Sequence, residues 1–318
     1  MRQESIVSAM SFVVVGFLSA CGGGGGASSQ PVQVASSSSV QSSQKVSASS
    51  SWGASSITQS SQDTSSLGTA VRVAASGNYL VNAAPVFHEA WGGVAVEDQS
   101  CRDASSSRIA EVFDTTLQKY VFRFHMAMDD VDCATNESGR QRLEIKVYNL
   151  SPDNLKGVQG ETHFYRWKIF LPNDFQVSTS FTHLFQIKAV GGDDALPLIS
   201  LTARKANPNR LEILYAARNE TQRIAEISLA QALGKWLDVQ VSANYAVNGR
   251  FAITIHEISS NTQLLHSVNN NLDMWREGTE FHRPKWGIYR SLNNQQDLKE
   301  ETLFYDDFCI AEVENSCW

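Results

Sequence analysis

The chain has 318 residues, 42% hydrophobic and 19% charged, with 26 Lys and Arg against 33 Asp and Glu. The formal net charge of −7 excludes a protein that coats nucleic acid, because phosphate binding needs a surplus of basic side chains. Residues 1–75 hold only Arg2, Lys45, Arg72, Glu4 and Asp63 as charges, which leaves 23 basic and 31 acidic residues in 76–318, a net of −8. The expected folded domain is therefore 76–318, and the first 75 residues need a different explanation.

Residues 1–20 read as an export signal. The apolar run Phe12 to Leu18 is shorter than the roughly 20 residues that span a bilayer. It ends in Leu18-Ser19-Ala20-Cys21, which looks like a bacterial lipobox. That likeness implies lipidation of Cys21 and, with Gly22 following, an outer-membrane lipoprotein. The other reading is an ordinary secretory signal cleaved near Ala20. Residues 21–75 are rich in Ser, Gly and Gln. Too few apolar side chains are present to offset ordering entropy, so a flexible tether is expected. Cys101, Cys133, Cys309 and Cys317 remain for an oxidising compartment. They allow three pairings, among which locality favours Cys101–Cys133 and Cys309–Cys317. No CxxC or HExxH occurs, so no zinc site is expected.

From Tyr120 onward the apolar pattern alternates rather than following a helical period. Runs beginning at Tyr120, Arg142, Thr162, Thr182, Leu198, Arg210, Leu237, Phe251 and Lys285 predict strands. Val247-Asn248-Gly249-Arg250 predicts a hairpin turn. Ser228 to Leu233 could make a turn or two of helix. Many short strands and few helices imply an all-β, two-sheet sandwich of jelly-roll type, with a concave sheet able to take a polymer.

Three segments are dense in polar residues on one face. In Arg140-Gln-Arg142-Leu-Glu144-Ile-Lys146, the period of two puts Arg140, Arg142, Glu144 and Lys146 together. The same period joins Gln186 to Lys188, and Lys285 to Tyr289 and Ser291. In this order the segments resemble the motifs of jelly-roll polysaccharide lyases. The alginate lyases of that fold carry R-(S/T)-E-(L/V), Q-I-(H/V) and Y-F-K-x-G-x-Y-x-Q. Here they read Arg142-Leu-Glu144-Ile, Gln186-Ile-Lys188 and Lys285-Trp-Gly287-Ile-Tyr289-Arg-Ser291. The segment Gly160 to Pro172 is also similar to a strand of glucuronan lyases and the heparin-lyase-like group. Lys188 stands where the alginate-type His would be, and Ser291 where the last Gln would be.

The resemblance implies cleavage of a uronic-acid polymer by β-elimination, glucuronan first and alginate second. Such an enzyme must neutralise the uronate carboxylate, remove the C5 proton and protonate the leaving O4. Arg142 and Gln186 suit the first task, since Arg offers a planar fork to a carboxylate. Tyr289 suits the proton transfers if nearby cations lower its pKa. His163 is the preferred separate base, ahead of His125 and of His183, which strict alternation puts on the face opposite Gln186. Lys188, Lys285, Arg140, Glu144, Tyr165 and Trp167 are the expected substrate contacts. With Lys146 and Arg290 the cations predict a basic groove in an acidic protein.

Each assignment has a plainer rival. Arg142 and Glu144 would serve as a cross-strand ion pair, Gln186 as a core amide, Tyr289 as a buried aromatic and Lys188 as a surface lysine. No cofactor is required by the resemblance. Asp129-Asp130, Asp193-Asp194 and Asp306-Asp307 offer oxygen ligands to a structural Ca²⁺, but read more readily as turns or solvated loops. The expected partners are an anionic polysaccharide and, through a lipid anchor, the outer membrane; the chain is expected to be a monomer. Two other functions compete. One is a non-catalytic, surface polysaccharide-binding module of the same fold. The other is a sandwich-fold glycoside hydrolase, which lacks here the E-x-D-x-x-E strand motif of the laminarinase-like group.

Overall fold

The computed structural model describes residues 70–93, 95–98, 107–129, 139–218 and 220–318. The export signal, Cys21, nearly all of the tether and the Cys101–Cys133 pairing lie outside them. Along the described chain run β1 (Val71–Val73), α1 (Ala84–Trp91), β2 (Val96–Asp98), β3 (Ile109–Asp114), β4 (Lys119–Met126), β5 (Arg140–Lys146), β6 (Thr162–Leu171), β7 (Thr182–Val190), β8 (Ile199–Arg204), β9 (Arg210–Tyr215), β10 (Gln222–Ser228), β11 (Lys235–Asn244), β12 (Gly249–Glu257), β13 (Thr262–Leu272), β14 (Phe281–Ser291) and β15 (Glu301–Ala311).

The strands form two antiparallel sheets of a sandwich. One has the order β13-β12-β11-β6-β15-β4-β3, with β1 added on β15; the other has the order β10-β9-β8-β7-β14-β5-β2. The expected all-β sandwich is thus observed. All nine alternating runs read from the sequence are strands. The Asn248-Gly249 turn joins β11 to β12, and glycine is required there: a Cβ on Gly249 would lie 2.3 Å from the Asn244 carbonyl oxygen. Ser228 to Leu233 yields a single 3-10 turn, Leu229–Gln231.

The core lies between the sheets, and Trp286 of β14 sits at its centre. Its ring centroid is 5.3 Å from Trp91, 5.4 Å from Phe308, 5.5 Å from Phe185 and 5.9 Å from Trp167. Helix α1 supplies Trp91 and Phe87, four residues apart and therefore on one helical face, both 0% exposed. Burying such rings supplies the main driving force of the fold.

β15 corrects the reading of Asp306-Asp307 as a turn or calcium loop. It is a central strand between β6 and β4, with a register shift between Asp306 and Cys309. Two lysines occupy the carboxylates: Lys119 lies 2.5 Å from Asp306 and 2.8 Å from Asp307, and Lys168 lies 2.6 Å from Asp307. The bulge sets adjacent acids where alternation would not, and cations from neighbouring strands neutralise them. Just beyond, Cys309 and Cys317 form a disulfide. No helix among the described residues is long and apolar enough to cross a membrane.

Candidate active site

β14 lies between β5 and β7, and its register gathers the polar segments on the outer face of the sheet. Tyr289 stands opposite Arg142 on one side and His183 on the other; Lys285 stands opposite Lys146 and Gln186. Tyr289, Arg142, His183, Lys285 and Gln186 line a cavity of about 440 Å³ with Arg140 and Lys188. Its far wall is apolar, built from Ala195, Leu196, Pro197 and Leu214. Arg276, 3% exposed, fixes that wall. Its guanidinium donates to the carbonyls of Asp193 (2.9 Å), Leu196 (2.6 Å) and Pro197 (3.4 Å), and to that of Ala216.

Tyr289 is held by two arginines. Arg140 Nη1 donates to its hydroxyl at 2.9 Å, and the Arg142 guanidinium carbon lies 4.0 Å from its ring centroid. Burial raises the phenol pKa, and Arg142 and Arg140 only partly offset this. The expected net lowering by the cations is therefore reversed: Tyr289 keeps its proton at neutral pH. The His183 ring is 5.8 Å from Tyr289 and stacks on Phe181 at 4.5 Å. Its Nδ1 is 2.7 Å from Thr202 Oγ1, which itself donates to Ser200 Oγ at 3.1 Å. Thr202 therefore accepts, Nδ1 carries the proton, and Nε2 is left as the basic nitrogen. Burial first, then Arg204, Lys285, Arg142 and Arg140, push the His183 pKa down to about 3. The imidazole is neutral throughout the physiological range.

An ion cluster forms the groove floor. Lys285 contacts Glu97 and, at 2.6 Å, Glu144. Glu97 also meets Lys146 at 2.6 Å and Arg142 at 3.4 Å. Burial opposes ionisation of Glu97, yet Lys285 and Lys146 hold its carboxyl well below the usual range. Gln186 Nε2 donates to the other oxygen of Glu144. Burial and the nearby Lys285 lower the pKa of Lys188, which makes no ion pair with any described residue. Among the described residues of the groove, cations outnumber carboxylates although the chain is acidic.

The sequence profile described as Polysaccharide lyase matches residues 88–309. The chain belongs to the polysaccharide lyase family. No curated protein matches this lyase in sequence. Among solved structures it is similar to an endo-β-1,4-glucuronan lyase from the fungus Trichoderma reesei, at 16% identity and a TM-score of 0.48, covering 70% of this chain and 91% of that one. It is also similar to the alginate lyase Aly36B, at 10% identity and a TM-score of 0.49, covering 78% and 98%. An alginate lyase from Aplysia kurodai shows 11% identity and a TM-score of 0.44, covering 65% and 87%.

Three expected site residues of the lyase lie elsewhere. His163, Tyr165 and Trp167 share a face of β6, as the alternation predicts, but β6 belongs to the other sheet and that face is the core: all three are 0% exposed. His163 Nε2 lies 3.1 Å from Glu161 Oε2, Tyr165 shares a 2.6 Å hydrogen bond with Tyr245, and Trp167 stacks on Phe185 at 4.5 Å. Alternation says which residues share a face, not whether it meets solvent or the opposite sheet. His125 lies on β4 and bonds Thr302 at 2.9 Å. Arg290 also turns away from the groove, donating to Gln141 at 2.7 Å and to the Lys299 carbonyl at 2.9 Å. Glu144 and Lys285 do face the groove but are each 1% exposed, paired beneath it. Among the described residues, Glu161, His163 and Glu312 place potential metal-ligand atoms within 4.8 Å of one another.

Thr202 and Glu97 are not visible as site residues in the sequence, and His183 is ranked there below His163. A register shift between His183 and Phe185 carries His183 to the groove side. The adjacent apolar pair Leu184-Phe185, which breaks the alternation, was its one visible signal. Glu97 sits on a strand of three residues, Val96–Asp98, too short to show a period.

The floor cluster makes stability depend on Glu97. Its folded pKa is depressed, so the stabilisation is present above the unfolded value and is lost as pH falls through the folded one. Glu97→Gln is expected to cost about 3–5 kcal/mol at pH 7, the penalty for breaking a buried pair. In urea denaturation the gap to the parent should narrow as pH falls below about 4.5; a gap independent of pH would refute the pairing.

Proposed function

We propose that this lyase cleaves a uronic-acid polymer by β-elimination, with His183 as base and Tyr289 as acid. One observation carries the reading: a neutral imidazole beside a protonated phenol, 5.8 Å apart by ring centroids, in a basic cavity. Arg142, the Gln186 amide and Lys188 receive the uronate carboxylate, and their charge stabilises the dianion that develops as C5 loses its proton. His183 Nε2 takes that proton, the electron pair forms the C4–C5 double bond, and O4 leaves with the Tyr289 proton. Arg140 stabilises the resulting phenolate. The separation of roles follows from the two environments, which drive the imidazole and phenol pKa values apart.

Glucuronan is the first expected substrate and alginate the second, because Lys188 replaces the alginate-type His. We further propose that the enzyme is an outer-membrane lipoprotein anchored at Cys21 and displayed on its Ser-rich tether. No cofactor takes part in these steps. With Asp306-Asp307 occupied by lysines, Asp193-Asp194 is the fully described acidic pair left for a structural Ca²⁺.

Incubation with glucuronan, alginate and a heparin-like polymer should release unsaturated product, read by its ultraviolet absorbance. His183→Asn and Tyr289→Phe should each lose at least about 100-fold in kcat while still binding polymer. Binding by the parent protein without product from any uronate would mark a binding module instead.

The acid limb of kcat/KM reports the unliganded enzyme and should lie below pH 5, far under that of an ordinary histidine. A bound uronate raises the His183 pKa, so the acid limb of kcat should lie higher. Coincident limbs near pH 6.5 would remove His183 as the base.

The parent chain expressed in a Gram-negative host should partition into detergent with the outer membrane, and Cys21→Ser should not; a soluble parent chain would favour the ordinary secretory signal.

A further inference from the structure

The alternation of faces on β7 fails once. His183 and Gln186 both face the groove although they are three residues apart, and Leu184 and Phe185 between them both enter the core at 1% exposure. Opposite them, β14 advances from Trp286 to Tyr289 while β7 advances only from Phe185 to His183. Such an irregularity interrupts the ladder and strips carbonyls of their partners. Inside a sandwich no water replaces those partners.

Tyr305 of β15, in the opposite sheet, answers both strands at this point. Its hydroxyl lies 3.0 Å from the Leu184 carbonyl oxygen and 2.8 Å from that of Gly287. The side chain is 0% exposed, and burial holds the phenol well above its usual range, so it remains a donor. β14 has no room to absorb the mismatch on its other side. Gly287 has φ +142°, and a Cβ there would lie 2.1 Å from the Leu143 carbonyl oxygen on β5.

We propose that Tyr305 is a positioning residue for the elimination: by sharing its one hydroxyl proton between the Leu184 and Gly287 carbonyls it holds β7 in the register that presents His183 to the groove beside Tyr289. A regular β7 would turn His183 toward the core whenever Gln186 faced the groove, because the side-chain period is two. The inference rests on His183 being the base.

The test compares Tyr305→Phe, His183→Asn, their double variant and Leu303→Ala in the full chain, assayed on glucuronan below each melting temperature. Phe keeps the ring that packs on Phe124 and Phe308, at 4.9 and 5.9 Å. Leu303 is on the same strand and equally buried, so its truncation measures lost packing without touching a hydrogen bond. Tyr305→Phe is expected to lower kcat about 10- to 100-fold with KM changed less than about twofold, the effect of a misplaced base. Leu303→Ala should leave kcat per folded molecule within about twofold, and the double variant should be no slower than His183→Asn alone.

Equal losses in Tyr305→Phe and Leu303→Ala, or additive losses in the double variant, would overturn the positioning role. So would full turnover in Tyr305→Phe beside a dead His183→Asn, which leaves the base assignment standing. Full turnover in His183→Asn overturns the base assignment itself, and this inference with it. The His183 ring-proton NMR resonance, assigned by its loss in His183→Asn, reports without any polymer. Tyr305→Phe should move it and Leu303→Ala should not; an unmoved resonance overturns the proposal.

Discussion

The Lys285 ammonium, closed between the carboxylates of Glu97 and Glu144, is the interaction on which the groove is built. A charge buried to 1% exposure is costly unless it is paired. Glu97 comes from β2, Glu144 from β5 and Lys285 from β14, so the cluster joins three strands at one point. Gln186 extends it to β7 through Glu144. Because Glu97 and Glu144 are engaged internally, neither projects negative charge into the cavity above. A protein of net charge −7 can in this way present a basic groove: the sign of the whole chain and the sign of the site are set by different residues.

β14 couples the groove to the core. Trp286 points inward to the aromatic centre, while Lys285 and Tyr289 on the same strand point outward to the site. A change in how Trp91, Phe185 or Phe308 packs on Trp286 moves the backbone that carries Tyr289. Close-packed interiors transmit such shifts rather than absorb them. The precision of the site is thus a property of the sandwich interior as much as of the groove lining.

What was legible in the sequence divides along physical lines. Alternation revealed the strands with one wet and one dry face, including β5, β7 and β14, and their spacing brought Arg142, Gln186 and Tyr289 together. It could not say which sheet a strand joins, and so placed His163, Tyr165 and Trp167 at the site when they are core. Nor could a strict period of two accommodate the irregularity at Leu184, which is why His183 was set on the wrong face. β15 was hidden by Asp306-Asp307, a turn signal in isolation that cross-strand lysines make compatible with a central strand. The Tyr289 pKa shows the same limit. Its cationic neighbours were readable, but its burial, which dominates, is a property of the assembled fold.

Arg276 carries a consequence for how a chain molecule is received. One guanidinium anchors the carbonyls of Asp193, Leu196, Pro197 and Ala216, so the apolar side of the groove is rigid before any ligand arrives. A wall that must be ordered on binding charges its entropy against every ring it grips; a prefixed wall does not. Beside a floor whose lysine is already closed between two carboxylates, it leaves little of the groove to be ordered on binding.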